Sequence, residues 1–384
     1  MNADLYFYAF KFMSGAFAFT LLTLVLRSFG EEKQAIDSDG DGYPDDERWF
    51  GLEELEIIDI YEETSDIKTF KLKRAQKKQI PKYAPGQFLS FEIPSEKKVF
   101  RSYSVSGSPE NNNYLQVSIK KITDGLGSNW FHSLKVGDKV KAHPPSGLFT
   151  DQGLAPEVHR VFIAGGIGIT PLFSMLRAAI DRGEKHPVTL FFAAKTKRDL
   201  AFHNQILEIA KRNKNVTYIP ILSGEVDSSW TGLRGRLNLE ILQEHVPDLR
   251  AAKFFFCGPK LLTKSISENL IEFGVHEDNL YSEEFVSPTS ISEEDLPQIE
   301  TILNLDGSDY EYSGKLNLLE FFESKEVDIP FACRSGVCGA CKVKCLSGEV
   351  LSLSESGLTK DEQRQNYILT CVSWPKKRLE LESK

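Results

Sequence analysis

The chain has 384 residues, of which 41% are hydrophobic and 26% are charged, and its formal net charge is −9. This length predicts about two to four folded domains, and the composition excludes both a disordered chain and a protein with many membrane spans. An acidic chain lacks the basic surface that nucleic-acid binding requires, and six cysteines are too few for a disulfide scaffold.

The first segment of the chain is apolar. Residues 5–26 contain one charged side chain, Lys11, and as a helix they would span about 33 Å, close to the ~30 Å hydrocarbon core of a bilayer. We therefore expect residues 1–30 to form a single membrane-anchoring helix, with the catalytic domains in the cytoplasm. Two alternatives stay open: a cleaved signal peptide with Ser28 and Gly30 near its cleavage site, and a helix packed on the protein's own body.

Residues 31–50 form an acidic linker in which carboxylates alternate and are followed by glycine. This pattern predicts an oxygen cage for Ca²⁺. The candidate ligands are Asp37, Asp39, Asp41 and Asp45. An EF-hand needs glutamate at the twelfth loop position, where this chain has Arg48, so the stretch resembles the short calcium loops of thrombospondin-type repeats. A solvated linker that binds no calcium is the alternative.

Three folded parts follow. Between residues 51 and 152, short alternating runs are separated by turn residues, which predicts an antiparallel β-barrel. Between residues 153 and 286, apolar strand-like runs alternate with helical stretches, which predicts an α/β domain with a parallel sheet. A polar linker at 287–298 then leads to a small domain at 299–384, in which short strands surround a cysteine loop.

In the barrel, a strand-like run carries the consecutive residues Arg101, Ser102, Tyr103 and Ser104. A flavin needs an aromatic side chain against its ring, a donor near N5 and a cation for its phosphate, and this run supplies all three. So short a match is weak by itself, but a second strand-like run and a glycine turn follow it. Their candidate flavin-binding residues are Val117, Ser118, Lys120, Gly125, Gly127 and Ser128. The glycine turn can direct backbone N–H groups towards a phosphate.

The α/β part opens with a strand that ends in glycines and passes directly into a helix. Such a helix N-terminus favours a pyrophosphate group. The candidate residues are Gly165, Gly166, Gly168, Thr170 and Pro171. Farther on, Cys257, Gly258 and Pro259 end an apolar strand, and a later segment runs from Tyr281 to Phe285. Glu283 and Glu284 in that segment could be site residues or only linker charges.

The cysteine loop is the strongest signal in the sequence. Its C-x4-C-x2-C…C spacing is that of a plant-type [2Fe–2S] ferredoxin. The predicted ligands are Cys333, Cys338, Cys341 and Cys371. Gly336 and Gly339 would allow the loop to aim N–H groups at the sulfides, whereas a zinc site would usually pair two C-x2-C spacings and only one occurs here. Cys345 lies outside the pattern and is predicted to be a small buried apolar residue.

These motifs occur in the same order in the ferredoxin–NADP reductase superfamily. Residues 51–384 resemble its fused members, the reductases of phenol hydroxylase and phenylacetyl-CoA epoxidase. The resemblance implies a flavin barrel that binds FAD in preference to FMN, a nicotinamide domain, and a C-terminal β-grasp ferredoxin domain. It also implies that Tyr103, Ser104 and Cys257 lie at the reacting centre and that Phe285 lies near the flavin edge.

The choice between NADH and NADPH rests on one loop. Relatives that select NADPH carry a Ser-Arg pair after the third strand of the nicotinamide domain, but here Ser223 is followed by Gly224 and Glu225. The carboxylate would repel a 2′-phosphate, so NADH is the expected donor. Three basic residues on a nearby loop argue for NADPH: Lys195, Lys197 and Arg198.

Together, these features predict a reductase that takes electrons from NADH and passes them singly through a flavin and a [2Fe–2S] cluster. An oxygenase, a hydroxylase or a desaturase at a membrane is the expected acceptor. Two other functions stay open: an exported calcium-binding redox sensor, and a free flavin or quinone reductase.

Overall fold

The computed structural model describes residues 49–75, 79–95, 99–225, 227–285 and 296–383. The predicted anchor, the predicted calcium loop and most of the predicted linker at 287–298 lie outside the described residues. Within the described ranges, no helix combines the length and the apolar character needed to cross a bilayer.

The first domain is an antiparallel six-stranded sheet with the strand order β4-β3-β6-β1-β2-β5. Its elements are β1 (Glu53–Glu62), β2 (Ile67–Arg74), β3 (Phe88–Ile93), β4 (Val99–Ser104), β5 (Leu115–Lys120), α1 (Leu126–Ser133) and β6 (Lys139–Ala142). Val105, directly after β4, bridges Val117 of β5, so the two edge strands meet and the sheet closes as a barrel. Alternate side chains fill the interior, where the rings of Phe70 and Phe91 pack on Phe131 of α1 at 5.4 and 4.9 Å.

The second domain is a six-stranded parallel sheet with the order β10-β9-β8-β7-β11-β12. Its elements are β7 (Arg160–Gly165), α2 (Ile169–Asp181), β8 (Val188–Ala194), α3 (His203–Arg212), β9 (Val216–Leu222), β10 (Leu233–Arg234), α4 (Leu239–His245), β11 (Lys253–Cys257), α5 (Lys260–Phe273) and β12 (Leu280–Glu283). The strand order reverses between β7 and β11, so a crevice forms at the carboxyl ends of these two strands. The central strands are mostly apolar because each face of the sheet buries its own core.

The third domain is a mixed five-stranded sheet with the order β14-β13-β19-β15-β17, accompanied by a small β16–β18 pair. Its elements are β13 (Ile299–Leu305), β14 (Ser308–Gly314), α6 (Leu318–Ser324), β15 (Lys342–Ser347), β16 (Val350–Ser352), α7 (Lys360–Arg364), β17 (Tyr367–Leu369), β18 (Ser373–Pro375) and β19 (Leu379–Glu382). The Asn317 side chain caps α6 by accepting from the Glu320 N–H at 2.9 Å. Leu319 and Phe322 of this helix are buried against the sheet, as a β-grasp fold requires. The predicted sequence of barrel, parallel sheet and β-grasp domain is therefore confirmed.

Specific contacts join the three domains. The Ser174 hydroxyl of α2 donates to the Gly107 carbonyl at 2.6 Å, and Arg182 forms an ion pair with Glu110 at 2.5 Å. Lys360 of α7 donates to the Asp278 carboxylate at 3.0 Å. The first two contacts join α2 and the residue after it to the segment that follows β4 of the barrel.

Candidate functional site

The predicted flavin strand is β4, and its side chains alternate between two faces. Tyr103 packs its ring on Phe131 at 5.3 Å and on Phe91 at 6.1 Å. Burial raises the pKa of its phenol, so Tyr103 is a neutral aromatic surface at physiological pH. Arg101 donates to the Phe100 carbonyl at 2.8 Å.

The predicted glycine turn meets this strand although about 20 residues separate them in sequence. A Cβ atom on Gly127 would lie 2.7 Å from the Tyr103 hydroxyl and 2.8 Å from Arg101 Cγ, so only glycine permits this approach. The turn leads into α1 behind Gly125, with no side chain capping the helix. The free N–H groups of this first turn fit a phosphate. Ser128 is engaged within the turn, where its hydroxyl donates to the Gly125 carbonyl at 3.2 Å.

The side chains predicted on β5 serve the barrel itself. Val117 is fully buried in the core, and Ser118 shares hydrogen bonds with Thr69 at 2.6 Å and Ser106 at 2.8 Å. Lys120 pairs with Asp66 at 3.2 Å. A flavin along the seam between β4 and β5 could therefore use the backbone of β5, but these side chains are not brought to it.

The predicted pyrophosphate turn lies at the end of β7. Gly168 directly precedes α2, and a Cβ atom there would lie 2.1 Å from the Cys257 carbonyl oxygen at the end of β11. Likewise, a Cβ atom on Gly258, which follows β11, would lie 2.8 Å from the backbone nitrogen of Gly165 at the end of β7. Glycines after both strands thus allow two backbones to pack closely at the N-terminus of α2.

Three further predicted residues shape this turn. The Thr170 hydroxyl donates to the Ile167 carbonyl at 3.0 Å, and Pro171 stands in the first turn of α2, where an N–H is not needed. Pro259 packs on Gly165, whose Cβ would lie 2.5 Å from the proline ring. Gly166 adopts a φ of 55° and has open space around it.

A buried carboxyl group lies where the two domains meet. Glu283, at the end of β12, is enclosed, and burial raises its pKa to about 8. The Ser104 hydroxyl lies beside this carboxyl group and partly offsets the effect of burial on its pKa, while Glu283 Oε2 has no hydrogen-bond partner among the described residues. Cys257 is also buried, and its pKa is raised first by burial and then by the charge of Glu283. Ser104 and Cys257, which were predicted from separate motifs, therefore both lie beside Glu283, whose role the sequence leaves open. Phe285, two residues farther along the chain, is half exposed.

The loop after β9 carries the predicted cofactor selector. Glu225 accepts hydrogen bonds from the Lys197 N–H at 2.8 Å and from the Asp227 N–H at 2.9 Å. Arg234 of β10 lies beside this loop, but its guanidinium donates to backbone carbonyls, including that of Asp227 at 2.6 Å. The carboxylate is thus fixed at the carboxyl edge of the sheet, where a dinucleotide's ribose is bound in such folds.

The four predicted cluster ligands come together in the third domain. The thiols of Cys338 and Cys371 lie beside Cys333 and hold its pKa well below the usual range, and Cys371 also lies beside Cys341. No three His, Cys, Asp or Glu side chains in the described ranges are gathered around one point as they would be for a single metal ion. The four thiols form one chain of neighbours instead, in the order Cys338, Cys333, Cys371 and Cys341, and four neighbouring thiols fit a cluster of two irons.

The cluster loop is shaped by its glycines and its N–H groups. Gly336 and Gly339 both have a φ of 73°, and a Cβ on Gly339 would lie 2.5 Å from the Gly357 carbonyl oxygen. The Ser335 N–H donates to Cys333 Sγ at 3.4 Å. Such donors stabilise a reduced cluster. Cys345 lies outside this group and is only partly buried, on the edge of the domain core.

Comparisons with known proteins find relatives of all three domains. Three family models match in succession: an oxidoreductase FAD-binding domain over residues 54–150, an oxidoreductase NAD-binding domain over 162–268, and a 2Fe-2S iron-sulfur cluster binding domain over 303–376.

Curated relatives match nearly the whole chain. The glycine betaine monooxygenase reductase subunit of Chromohalobacter salexigens is 30% identical over 354 residues, which cover 86% of this chain and 95% of the relative. The ferredoxin reductase component of the 3-ketosteroid-9-alpha-monooxygenase of Mycolicibacterium smegmatis is 29% identical, with coverages of 84% and 94%. Among solved structures, phthalate dioxygenase reductase has a TM-score of 0.59 at 22% identity and covers 87% of this chain and 98% of its own.

The fold and the sites define an oxidoreductase that uses FAD, a nicotinamide dinucleotide and a [2Fe–2S] cluster. The chain belongs to the family of reductases in which a flavin- and NAD-binding module of the ferredoxin–NADP reductase superfamily is fused to a C-terminal [2Fe–2S] ferredoxin domain.

Proposed function

We propose that this chain is the reductase component of an oxygenase system, which takes electrons from NADH and delivers them singly to a separate oxygenase. The observation that carries the proposal is the order of the sites along β4. Phe100, Ser102 and Ser104 alternate onto one face of this strand, over about 13 Å at ~3.3 Å per residue. Ser104 lies beside Glu283 at the nicotinamide end, and at the other end the Phe100 ring packs on His143, which is within electrostatic range of Cys333.

The residues of this strand have distinct proposed roles. A bound flavin supplies the ability to accept two electrons together and release them one at a time. Tyr103 would hold its ring, and Arg101 with the first turn of α1 would hold its phosphates. Ser104 and Glu283 would place a hydroxyl and an exchangeable proton where hydride arrives, while Cys257 fills the space behind the nicotinamide. The first turn of α2 would hold the dinucleotide's pyrophosphate.

The relatives support an oxygenase as the acceptor. Two of them are named as reductase parts of a glycine betaine monooxygenase and of a 3-ketosteroid monooxygenase, and this chain covers almost their whole length. A separate oxygenase partner is therefore the proposal for this chain as well.

The test is an anaerobic titration of the purified protein with NADH and then NADPH, followed by cytochrome c as a one-electron acceptor. We expect flavin and iron–sulfur absorbance to bleach with NADH, and cytochrome c to be reduced only when the cluster is present. Cytochrome c reduction that continues at full rate in a cluster-free variant would contradict the proposal and favour a free flavin or quinone reductase.

We also propose that residues 1–30 anchor this reductase to a membrane, which supports a membrane-bound oxygenase or desaturase as partner. The apolar run at 5–26 is the observation behind this proposal. Deletion of residues 1–30 is expected to move the protein from the membrane fraction to the soluble fraction without loss of NADH-dependent flavin reduction. A full-length protein that stays soluble, or one whose first residues are cleaved off, would contradict the anchor.

A further inference from the structure

A serine of α2 forms its hydrogen bond outside its own helix. Ser174 lies in the second turn of α2 and is fully buried. Its hydroxyl donates to the backbone carbonyl of Gly107, in the segment that follows β4, at 2.6 Å. A helical serine often donates to a carbonyl one turn earlier, as Ser267 of α5 does to Lys264 at 3.0 Å. Ser174 instead joins the second domain to the first.

The barrel fixes the acceptor of this bond. Gly107 is buried, and a Cβ atom there would lie 3.1 Å from Cβ of Gln116 on β5. The preceding residue, Ser106, donates its backbone N–H to the Gln116 carbonyl at 2.7 Å, and its hydroxyl shares a hydrogen bond with Ser118 at 2.8 Å. The Gly107 carbonyl therefore has little freedom to follow a displaced helix, so the bond defines where α2 lies.

Two other contacts between α2 and the barrel are less strict. A Cβ atom on Gly86 of the barrel would lie 2.6 Å from Cε of Met175, but a methionine side chain adapts easily to its surroundings. Arg182 pairs with Glu110 at 2.5 Å, but both side chains are partly exposed. The short, buried side chain of Ser174 thus restricts the helix more closely than these two contacts do.

Both ends of the bond are close, along the chain, to the residues proposed for hydride transfer. Thr170, in the turn proposed for the pyrophosphate, precedes Ser174 by four residues, or about 6 Å of helix at ~1.5 Å per residue. Ser104, which lies beside Glu283, precedes Gly107 by three residues, which span at most about 11 Å. A shift of α2 at Ser174 would therefore reach the bound dinucleotide with little slack.

We propose that Ser174 is a positioning residue for hydride transfer, whose hydrogen bond to Gly107 sets the distance between a dinucleotide on α2 and a flavin on β4. This inference rests on the proposed function. In that step the C4–H bond of NADH breaks, and its electron pair and hydrogen form an N–H bond at flavin N5. NADH is thereby oxidised to NAD⁺, and the flavin gains two electrons. The reacting atoms must lie about 3–3.5 Å apart, and a misplacement of about 1 Å can lower the rate about a hundredfold.

The test compares Ser174→Ala, which removes the hydroxyl, with Ser174→Cys, which keeps a weak donor. Stopped-flow absorbance with increasing NADH gives the Kd and the limiting rate of flavin reduction, and NADH deuterated at C4 gives the isotope effect on that rate. We expect the limiting rate to fall about tenfold or more in Ser174→Ala and less in Ser174→Cys. The isotope effect should persist, because the slowed step is hydride transfer itself. The Kd for NADH should stay within about twofold of wild type, because the pyrophosphate turn moves together with the bound dinucleotide.

Ser267→Ala is the matched control, because it removes a helical serine hydroxyl of the same domain whose bond stays within its own helix. The proposal is overturned if Ser174→Ala keeps a limiting rate within about twofold of wild type, if its slower reduction shows no isotope effect, or if Ser267→Ala causes the same loss. The same criteria apply to Ser174→Cys where Ser174→Ala does not fold. Failure of the proposed function gives a different result, because NADH would then not reduce the flavin of the wild-type protein either.

Discussion

The fold strongly changes the protonation of Glu283. It is fully buried beside Ser104 and Cys257, and its pKa rises from an ordinary 4.5 to about 8 because burial disfavours the charged form. The folded protein therefore holds a proton that the unfolded chain releases. The stability contributed by this proton is complete below pH about 4.5 and is lost as the pH rises through about 8.

We predict that Glu283→Gln removes this loss of folding stability at rising pH. Between about pH 5 and 8, the wild-type melting temperature should fall relative to that of the variant, by an amount that corresponds to a few kcal/mol at most. The measurement is the melting temperature from released flavin fluorescence at several pH values. Glu284→Gln is the control, because Glu284 is partly exposed and only 4.0 Å from Lys260. If the melting temperatures of wild type and Glu283→Gln changed with pH in parallel, Glu283 would be ionised in the folded protein.

Glu225 sets the charge that a ribose phosphate would meet. Its carboxylate is fixed by the N–H groups of Lys197 and Asp227, and the nearby Arg234 is occupied by carbonyls. We predict that Glu225→Gln lowers the ratio of kcat/KM for NADH over that for NADPH by about tenfold, or about 1.4 kcal/mol, because charge repulsion is removed and much of the loop's hydrogen bonding is kept.

The check on Glu225 is steady-state kinetics with both dinucleotides, with Glu240→Gln as control. Glu240 is exposed in the first turn of α4 in the same domain. An unchanged ratio in Glu225→Gln would mean that Lys195, Lys197 or Arg198 decides the choice.

At the scale of elements, two strand ends pack against each other through glycine. A methyl group on Gly168 would lie 2.1 Å from the Cys257 carbonyl oxygen. Because this oxygen belongs to the backbone, either the start of α2 or the end of β11 must move to make room. We predict that Gly168→Ala raises the KM for NADH at least tenfold, because the first turn of α2 is displaced from the crevice. Flavin content should stay normal, since the barrel does not use this turn.

Gly183→Ala is the control for Gly168→Ala. Gly183 follows the other end of the same helix with a φ of 69° and nothing within 4 Å, so its substitution tests backbone strain without a steric clash. It should lower the melting temperature, because an alanine with this positive φ is strained, and it should leave the KM for NADH unchanged. Equal effects of both variants on the KM would mean that helix stability, and not close packing, governs NADH binding.

The elements could be predicted from sequence where one local pattern determined them. The run VTYIPIL is β9 over Val216–Leu222, and the glycine turns lie at the helix starts where the motif order put them. The directions of the β5 side chains could not be predicted, because Val117, Ser118 and Lys120 pack on or bond to residues elsewhere in the barrel. The raised pKa of Glu283 and the hydrogen bond of Ser174 likewise depend on domains that meet only after folding.

At the scale of the whole molecule, the residues proposed for hydride transfer and the predicted cluster ligands belong to different domains. Glu283, Ser104 and Cys257 come from the first two domains, whereas all four predicted cluster ligands come from the third. One contact between the third domain and the second is weak, since the Lys360–Asp278 ion pair is about half exposed and such pairs contribute about 0–1 kcal/mol. Hydride transfer to the flavin should therefore not require an intact cluster.

We predict that Cys338→Ser abolishes cluster absorbance and cytochrome c reduction, while NADH reduces the flavin at a rate within about twofold of wild type. Cys338 contacts Cys333 in the third domain, whereas the strand that would hold the flavin, β4, belongs to the first domain. Its loss therefore removes only the last step, electron transfer through the cluster. Stopped-flow absorbance separates the two steps. Cys345→Ser is the matched control, because this partly buried thiol lies on β15 outside the ligand set and should leave both steps intact. Loss of flavin reduction in Cys338→Ser would show instead that the cluster domain supports the hydride site, and the four thiols would then stabilise the whole protein as well as carry electrons.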